Sequence, residues 1–202
     1  MKKFNLIIAC LGIMCASSCC QTQKQQDNME NQVIETIMAR RSIRKYKAEP
    51  VDRETMMKIL ECGINAPSGQ NKQSWEVRVV DNPELMAQMS QAMADGHPGM
   101  EFAKECFRGA PVMVFIARDL SYDFSPYDCG LLAENIMLSA WSLGVGSVCL
   151  GSPVRFLMNS PQAMDRLGFS EGYTPIICIG LGYPDESPEA KPRDAGKVKF
   201  ID

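Results

Sequence analysis

The sequence has little of what most catalytic triads and metal sites are made from. Its 202 residues include one histidine, His97, which lies in a segment with glycine and proline, and we assign it no role. The five cysteines after residue 23 are widely spaced and form no C-x-x-C pair, although one pair could bridge in an exported protein. These shortages argue against a Ser-His-Asp triad, a zinc site and a thioredoxin-like motif. We therefore expect no metal.

The sequence also lacks a basic excess. Lysine and arginine number 21 against 24 aspartates and glutamates, which gives a net charge of −3. Nucleic-acid binders usually show a positive balance, so we expect no nucleic-acid partner. The hydrophobic fraction of 46% is ordinary for a globular protein, and the length allows one domain with a sizeable core.

The N-terminus has the pattern of a secretory signal. Two lysines precede an apolar run over residues 4–14, which is too short to cross a membrane. Small residues then lead into Cys19, which resembles a bacterial lipoprotein cleavage site with Cys19 as the lipid-bearing residue. Cys15, Cys20 and plain secretion are the alternatives. We expect an exported protein, anchored by this lipid and facing the periplasm or the cell exterior. Three segments are thus predicted: a signal and cleavage region over 1–23, a polar tether over 24–31, and one domain over 32–202.

The segment from Ala39 to Tyr46 gathers side chains that can hold an oxyanion. The apolar residues before it recur with helical spacing, and the residues after Arg41 alternate, which predicts a helix followed by an extended segment. In that geometry Arg40, Ser42 and Arg44 could converge on one anion, and guanidinium groups with a short hydroxyl suit a phosphate. The alternative is a solvated basic cluster that complements a helix end.

Periodicity and turn residues predict the remaining elements. Helices are expected after the capping residue Asp52 and from Asn82 and Pro83 onward. A loop rich in Ser, Gln and Asn then leads into a half-buried strand from Trp75. Further elements are a central strand over 112–117, an apolar helix over 128–143, a strand within 144–153, a short helix over 161–167 and a buried strand over 175–183. The helix over 128–143 is apolar around most of its circumference, so it is either central or buried by a partner subunit. The alternating residues 198–201 could pair as an edge strand.

The order and spacing of these features resemble the nitroreductase family of FMN-dependent oxidoreductases, over residues 32–202. The resemblance implies an α+β fold with a central mixed sheet flanked by helices, in an intertwined homodimer.

The resemblance also implies a cofactor site in four parts. An R-x-S-x-R/K stretch for the FMN phosphate and ribityl chain is matched by Arg40, Ser42 and Arg44, with Arg41 adjacent. A P-S-x-x-N-x-Q-x-W loop is matched by Pro67, Ser68, Asn71 and Gln73. Backbone N–H groups facing flavin N5 and O4 are matched by Cys149, Leu150, Gly151 and Ser152. Further phosphate cations are matched by Lys191 and Arg193.

The implied activity is ping-pong hydride transfer from NAD(P)H, through flavin N5, to a nitroaromatic, quinone or similar conjugated acceptor. Because the flavin carries the chemistry, such a protein needs no catalytic side chain of its own. An exported protein is separated from cytoplasmic NAD(P)H, so another electron donor is possible. One alternative is a non-enzymatic FMN-binding or storage lipoprotein. Another is an anchored anion-binding protein without flavin, which would leave the Asn71/Gln73 loop unexplained.

Overall fold

A computed structural model describes residues 31–201 of the chain. The chain consists of two units, Met1–Arg40 and Arg41–Asp202. The predicted signal and Cys19 lie outside the described residues, and so does the tether up to residue 30. In the first unit, residues 31–39 form a helix, α1, which ends where the backbone N–H of Arg40 donates to the carbonyl of Thr36 at 3.0 Å. The predicted change from helix to extended chain is therefore confirmed.

The second unit is built on a four-stranded sheet with the order β1-β2-β4-β3. Its strands are β1 (Trp75–Val80), β2 (Val112–Asp119), β3 (Gly146–Leu150) and β4 (Tyr173–Gly182). All three pairings between these strands are antiparallel. A parallel component enters at the bridge between Ser42 and Ser147. The α+β class is confirmed, with this bridge as the parallel part of an otherwise antiparallel sheet.

Five helices belong to this unit: α2 (Arg53–Ile64), α3 (Pro83–Asp95), α4 (Ser125–Ser142), α5 (Ser152–Met158) and α6 (Pro161–Asp165). The predicted cap at Asp52 and the predicted helix start at Asn82 are both confirmed. The Asp52 carboxylate accepts from the N–H of Thr55 at 2.9 Å, and the Asn82 side chain accepts from the N–H of Leu85 at 2.8 Å. Each cap satisfies a backbone donor that the first helical turn leaves without an intrahelical partner.

Helices cover both faces of the sheet because its central strands alternate between two cores. Val114, Ile116, Ile179 and Leu181 pack with residues of α2 and α4 on one face. The residues between them face the other core, which α3, α5 and α6 supply. The apolar α4 thus lies against the sheet as a core helix. No helix within residues 31–201 is long and apolar enough to cross a membrane.

Two parts of the chain differ from the sequence prediction. The strand predicted within 144–153 ends at Leu150, and the helix α5 follows it directly. Pro153 lies in the first turn of α5, where proline favours a helix start. The edge strand predicted at 198–201 does not form within the described residues of this chain. A 3₁₀ turn (Ala195–Lys197) precedes it, and Val198, Phe200 and Ile201 are 75–92% exposed. Alternation alone does not form a strand, because a strand also needs a sheet edge to pair with.

Candidate functional site

The extended basic segment lies along the outer edge of β3. Ser42 bridges to Ser147, and the N–H of Ile43 donates to the carbonyl of Ser147 at 3.0 Å. The Ile43 side chain is fully buried. The segment can come this close because β3 begins with a glycine: a Cβ built on Gly146 would lie 2.7 Å from Ile43 Cγ1. The small residue at the start of β3 therefore allows the two backbones to approach closely.

The same segment is held on its other side by the chain that follows β4. Lys47 donates to the Tyr183 carbonyl at 2.9 Å, and Asp185 donates to the Lys45 carbonyl at 3.0 Å. The Glu186 carboxylate accepts from the backbone N–H of Arg44 and, at 3.2 Å, from that of Lys45. Backbone and carboxylate contacts thus fix residues 42–47 in an extended conformation.

Tyr46 ties this arrangement to the core. Its hydroxyl donates to the carbonyl of Ile43 at 2.6 Å and lies 3.4 Å from that of Gly180. Burial, and then the nearby Glu186 carboxylate, raises the pKa of Tyr46 far above its ordinary value. The phenol therefore stays a neutral donor across the physiological pH range.

The side chains of this segment that the sequence predicts to bind phosphate differ in exposure. Arg44 is exposed, with Nη1 3.3 Å from the carbonyl of Ser42, and Arg41 and Ser42 are half-buried. Arg40 belongs to the first unit, so its part in the site stays a prediction. Lys191 and Arg193 lie in the exposed tail, where Arg193 Nη1 is 3.4 Å from the carbonyl of Lys191. Their part in binding phosphate also stays a prediction.

The amide-rich loop has a strained backbone. Gln70, Asn71 and Gln73 have φ values of 55°, 55° and 48°, in the left-handed region that L-residues adopt reluctantly. The Ser68 hydroxyl accepts from the N–H of Gln73 at 3.1 Å, so it braces the loop from inside. The side chains of Pro67, Asn71 and Gln73 are exposed and available to a ligand.

A residue that sequence reasoning missed anchors this loop. Asp128, in the first turn of α4, is 2% exposed and accepts from the Gly69 N–H at 2.9 Å and from the Ser74 hydroxyl at 2.6 Å. Tyr122 packs against the same loop, with the Lys72 ammonium 4.1 Å from its ring centroid. The available signal was an isolated acidic residue at the start of an apolar helix, because a buried carboxylate there needs donors.

The end of β3 supplies backbone groups to the same edge. Since Ser147 accepts from Ile43 across the outer edge, the peptide groups of Ser147 and, two residues on, Cys149 both face away from β4. The Cys149 side chain is exposed, Leu150 is buried, and Gly151 and Ser152 begin α5. The Cys149 peptide group therefore lies on the outer edge of the sheet, and contact of this stretch with a flavin stays a prediction.

Other features lie away from this edge. Three surface clefts of about 410, 380 and 430 Å³ open along α3, α6 and the segment between α3 and β2. Their linings share no residue with the predicted cofactor site. His97 packs edge-on against Phe156 at 4.9 Å, with Nδ1 2.8 Å from the carbonyl of Met93, which indicates a structural contact. In residues 31–201, no three His, Cys, Asp or Glu side chains cluster as a metal site.

A three-layer α+β domain with a basic extended segment beside β3 and an amide-rich loop on α4 has the architecture of a nitroreductase-type protein. The model of the nitroreductase family matches residues 37–183, and the chain belongs to this family. It is 35% identical over 161 residues to an NAD(P)H nitroreductase homologue of Methanothermobacter thermautotrophicus, covering 77% of this chain and 79% of that protein. It is 35% identical over 176 residues to the NADPH-flavin oxidoreductase of Vibrio harveyi, covering 81% of this chain and 70% of that protein.

Solved structures give the same result. A nitroreductase with bound FMN from Desulfitobacterium hafniense superposes with a TM-score of 0.76 at 31% identity, over 85% of this chain and 98% of that one. The NADPH:FMN oxidoreductase of Vibrio harveyi, complexed with NAD+, superposes with a TM-score of 0.68 at 28% identity, over 84% and 76% of the two chains.

Proposed function

We propose that this protein is an FMN-dependent oxidoreductase that passes reducing equivalents from NAD(P)H to a nitroaromatic, a quinone or a similar conjugated acceptor. Family membership and the FMN and NAD+ of the related structures support the proposal. The observation that carries it is the extended segment at residues 42–46, held beside the exposed end of β3 with Arg44 pointing outward. That arrangement offers cations for a phosphate next to peptide groups for a planar ring.

The donor set fits FMN. Guanidinium, ammonium and hydroxyl groups match a dianionic phosphate, and exposed amides match the polar edge of an isoalloxazine. Phosphate binding is assigned to Arg40, Arg41, Ser42, Arg44, Lys191 and Arg193. Contact with the flavin ring is assigned to Pro67, Ser68, Asn71, Gln73 and the backbone of 149–152.

When bound, FMN supplies the hydride-transfer chemistry. The protein's own part is to bind, to orient and to place fixed dipoles. The Cys149 peptide group, held in register by β4, is set at the sheet edge before any ligand arrives. A preorganised donor of this kind costs little reorganisation when negative charge develops on the ligand.

We assign the working form as a homodimer. Phe124, Tyr127 and Leu131 lie on one side of α4 with exposures of 59%, 69% and 46%, although the opposite side of the helix is buried in the core. A stripe of large exposed apolar side chains marks an interaction surface, and a second copy would cover it. Such a copy would also lie beside the amide-rich loop, because Asp128 of the same helix holds that loop.

The dimer is tested with Leu131→Glu, which places a charge in the stripe. We expect a monomer by light scattering, together with weakened FMN binding. Met100→Glu is the matched control, since it adds the same charge to an exposed apolar side chain in the loop after α3. An unaltered dimer in Leu131→Glu would contradict the assignment.

We also propose that the protein is an exported lipoprotein anchored through Cys19. Two N-terminal lysines, the apolar run over 4–14 and the small residues before Cys19 support this proposal. Mass spectrometry of the mature N-terminus checks it: we expect a lipid on Cys19 and none after Cys19→Ser. An unmodified mature N-terminus upstream of Cys19 would refute the anchor.

The reaction is tested first by absorption spectroscopy of the purified full-length protein. We expect flavin bands that bleach with NADH or NADPH and return when a nitroaromatic or quinone is added. Flavin bands that neither nucleotide bleaches would refute the proposed donor. A colourless protein that takes up no added FMN would overturn the whole proposal.

A further inference from the structure

We propose that Asp128 is a positioning residue that sets the loop over residues 69–74 for contact with the flavin. The inference rests on the proposed function, because that loop carries Asn71 and Gln73. Asp128 is a buried carboxylate in the first turn of α4. Burying a carboxylate costs free energy unless hydrogen-bond donors pair with it, so the donors that it contacts indicate its structural role.

Both carboxylate oxygens are directed at the loop. Oδ1 accepts from the Gly69 N–H at 2.9 Å, and Oδ2 accepts from the Ser74 hydroxyl at 2.6 Å. These two donors stand at the two ends of the loop, so one side chain fixes both ends against α4. Hydrogen bonds to a carboxylate are among the stronger ones in proteins, and the N-terminal turn of a helix favours negative charge.

The loop needs such a hold because its interior is strained. Gln70, Asn71 and Gln73 all have positive φ, and a short run of non-glycine residues in this region persists only when its surroundings fix it. Within the loop, Ser68 supplies one further brace through the Gln73 N–H. Without the grip on Gly69 and Ser74, the backbone would relax toward ordinary φ values and carry the Asn71 and Gln73 side chains with it.

The underside of the loop is equally well defined. Ser74 is buried, and its carbonyl accepts from the N–H of Asp119 at 3.2 Å. Tyr122 blocks the space beside Gly69, since a Cβ there would meet the tyrosine hydroxyl. The loop is therefore fixed on its α4 side and exposed on the side that carries Asn71 and Gln73. Asp128 holds the α4 side of the loop, and the Ser125 hydroxyl of the same helix also donates to the Ser74 carbonyl.

Asp128 lies on α4 beside the exposed stripe assigned to the dimer. Its neighbour Tyr127 belongs to that stripe, so one helical turn contacts both the loop and the proposed second copy. The loop proposed to contact the flavin is thus attached to the same helix that carries the proposed dimer surface.

Asp128→Asn tests the inference in the full-length protein, with FMN affinity measured by the change in flavin fluorescence on binding. An amide keeps one acceptor oxygen but carries no charge, and its NH2 group can only donate, so both loop ends lose their charge-assisted hydrogen bonds. We expect the dissociation constant for FMN to rise about 10- to 100-fold. Ile136→Val is the control, because it removes a buried methyl group two turns along α4 and leaves the loop contacts intact. It should lower the melting temperature without weakening FMN binding.

A double-mutant cycle separates positioning from a general loss of stability. Asn71→Ala should weaken FMN binding in the wild-type background and have a much smaller effect in Asp128→Asn, where the amide is no longer held in place. Equal effects in both backgrounds, or an Asp128→Asn protein that binds FMN within twofold of wild type, would overturn the inference. If Asp128→Asn does not fold, Ser74→Ala serves instead, with at least about fivefold weaker binding expected. Wild-type affinity in Ser74→Ala would refute the positioning role.

The outcome also distinguishes failure of the proposed function from failure of the proposed role of Asp128. A wild-type protein that takes up no FMN removes the proposed function and this inference together. A wild-type protein that binds FMN, beside a variant that binds it equally well, removes only the role of Asp128.

Discussion

Gly146→Ala is the perturbation that most directly tests how the basic segment is held. Gly146 begins β3 opposite Gly182 and lies under the segment that carries Ser42 and Arg44. A Cβ at this position would lie 2.7 Å and 2.9 Å from Cγ1 and Cβ of Ile43, and 3.0 Å from Cγ of Pro184. Real Cβ contacts are longer than the first two distances, so something must move.

Ile43 has little room to retreat. Its side chain is fully buried, and its N–H is bonded to the carbonyl of Ser147 at 3.0 Å. Overpacking a buried site typically costs about 1–3 kcal/mol. If the segment relieves the clash by leaving the sheet edge, that cost falls on FMN binding, which would weaken by roughly 5- to 150-fold.

The assay is an FMN titration together with thermal unfolding of the apoprotein. We expect both weaker binding and a lower melting temperature in Gly146→Ala. Ser147→Ala is the control on the same strand, because the buried Ser147 hydroxyl has no hydrogen-bond partner among the described residues. Removing it should leave the stability unchanged or raise it by about 1 kcal/mol. A Gly146→Ala protein that binds FMN and melts like wild type would refute the close packing of Ile43 against Gly146.

Three further predictions follow from the same contacts. At pH 8 an alkylating reagent should modify the exposed Cys62 and Cys149 and spare Cys106, because burial raises the pKa of the Cys106 thiol to about 12 and keeps it protonated. Of the two exposed cysteines, bound FMN should protect only Cys149, and peptide mass spectrometry can resolve this difference. Glu186→Gln removes a negative charge beside the phosphate-binding segment, so FMN should bind about two- to fivefold more tightly at low salt, and titration in 0.5 M salt (roughly a 4 Å screening length) should show the gain shrinking. Asn82→Ala should lower the free energy of unfolding by about 0.5–2 kcal/mol in a urea titration and leave FMN affinity unchanged, because it removes only the cap of α3.

Local signals in the sequence were enough to predict most of the elements. The predicted features include the cap at Asp52, the helix start at Asn82, the change from helix to extended chain before Ser42 and the central strand over 112–117. All of them depend on residues a few positions apart. Such features follow from capping and periodicity, which act within one or two turns of the chain. The segments matched to the cofactor site were instead found through the resemblance of their order and spacing to the nitroreductase family.

The partners of those segments were not predictable in that way. Glu186 meets Arg44 across 142 positions of sequence, and Asp128 meets Gly69 across 59. No local period specifies which distant carboxylate will face which backbone donor. The tail at 198–201 shows the converse, since it alternates like a strand and yet pairs with no described strand of this chain.

The sequence by itself therefore determined the elements, their order and the chemistry of the side chains that could hold a phosphate and a flavin. Only the tertiary structure decided that the basic segment lies on the β3 edge over Gly146, and that Asp128 fixes the amide-rich loop to α4. The physical reason is that secondary structure arises from interactions between near neighbours in the chain. The site arises instead from the packing of strands and helices that bring distant residues together.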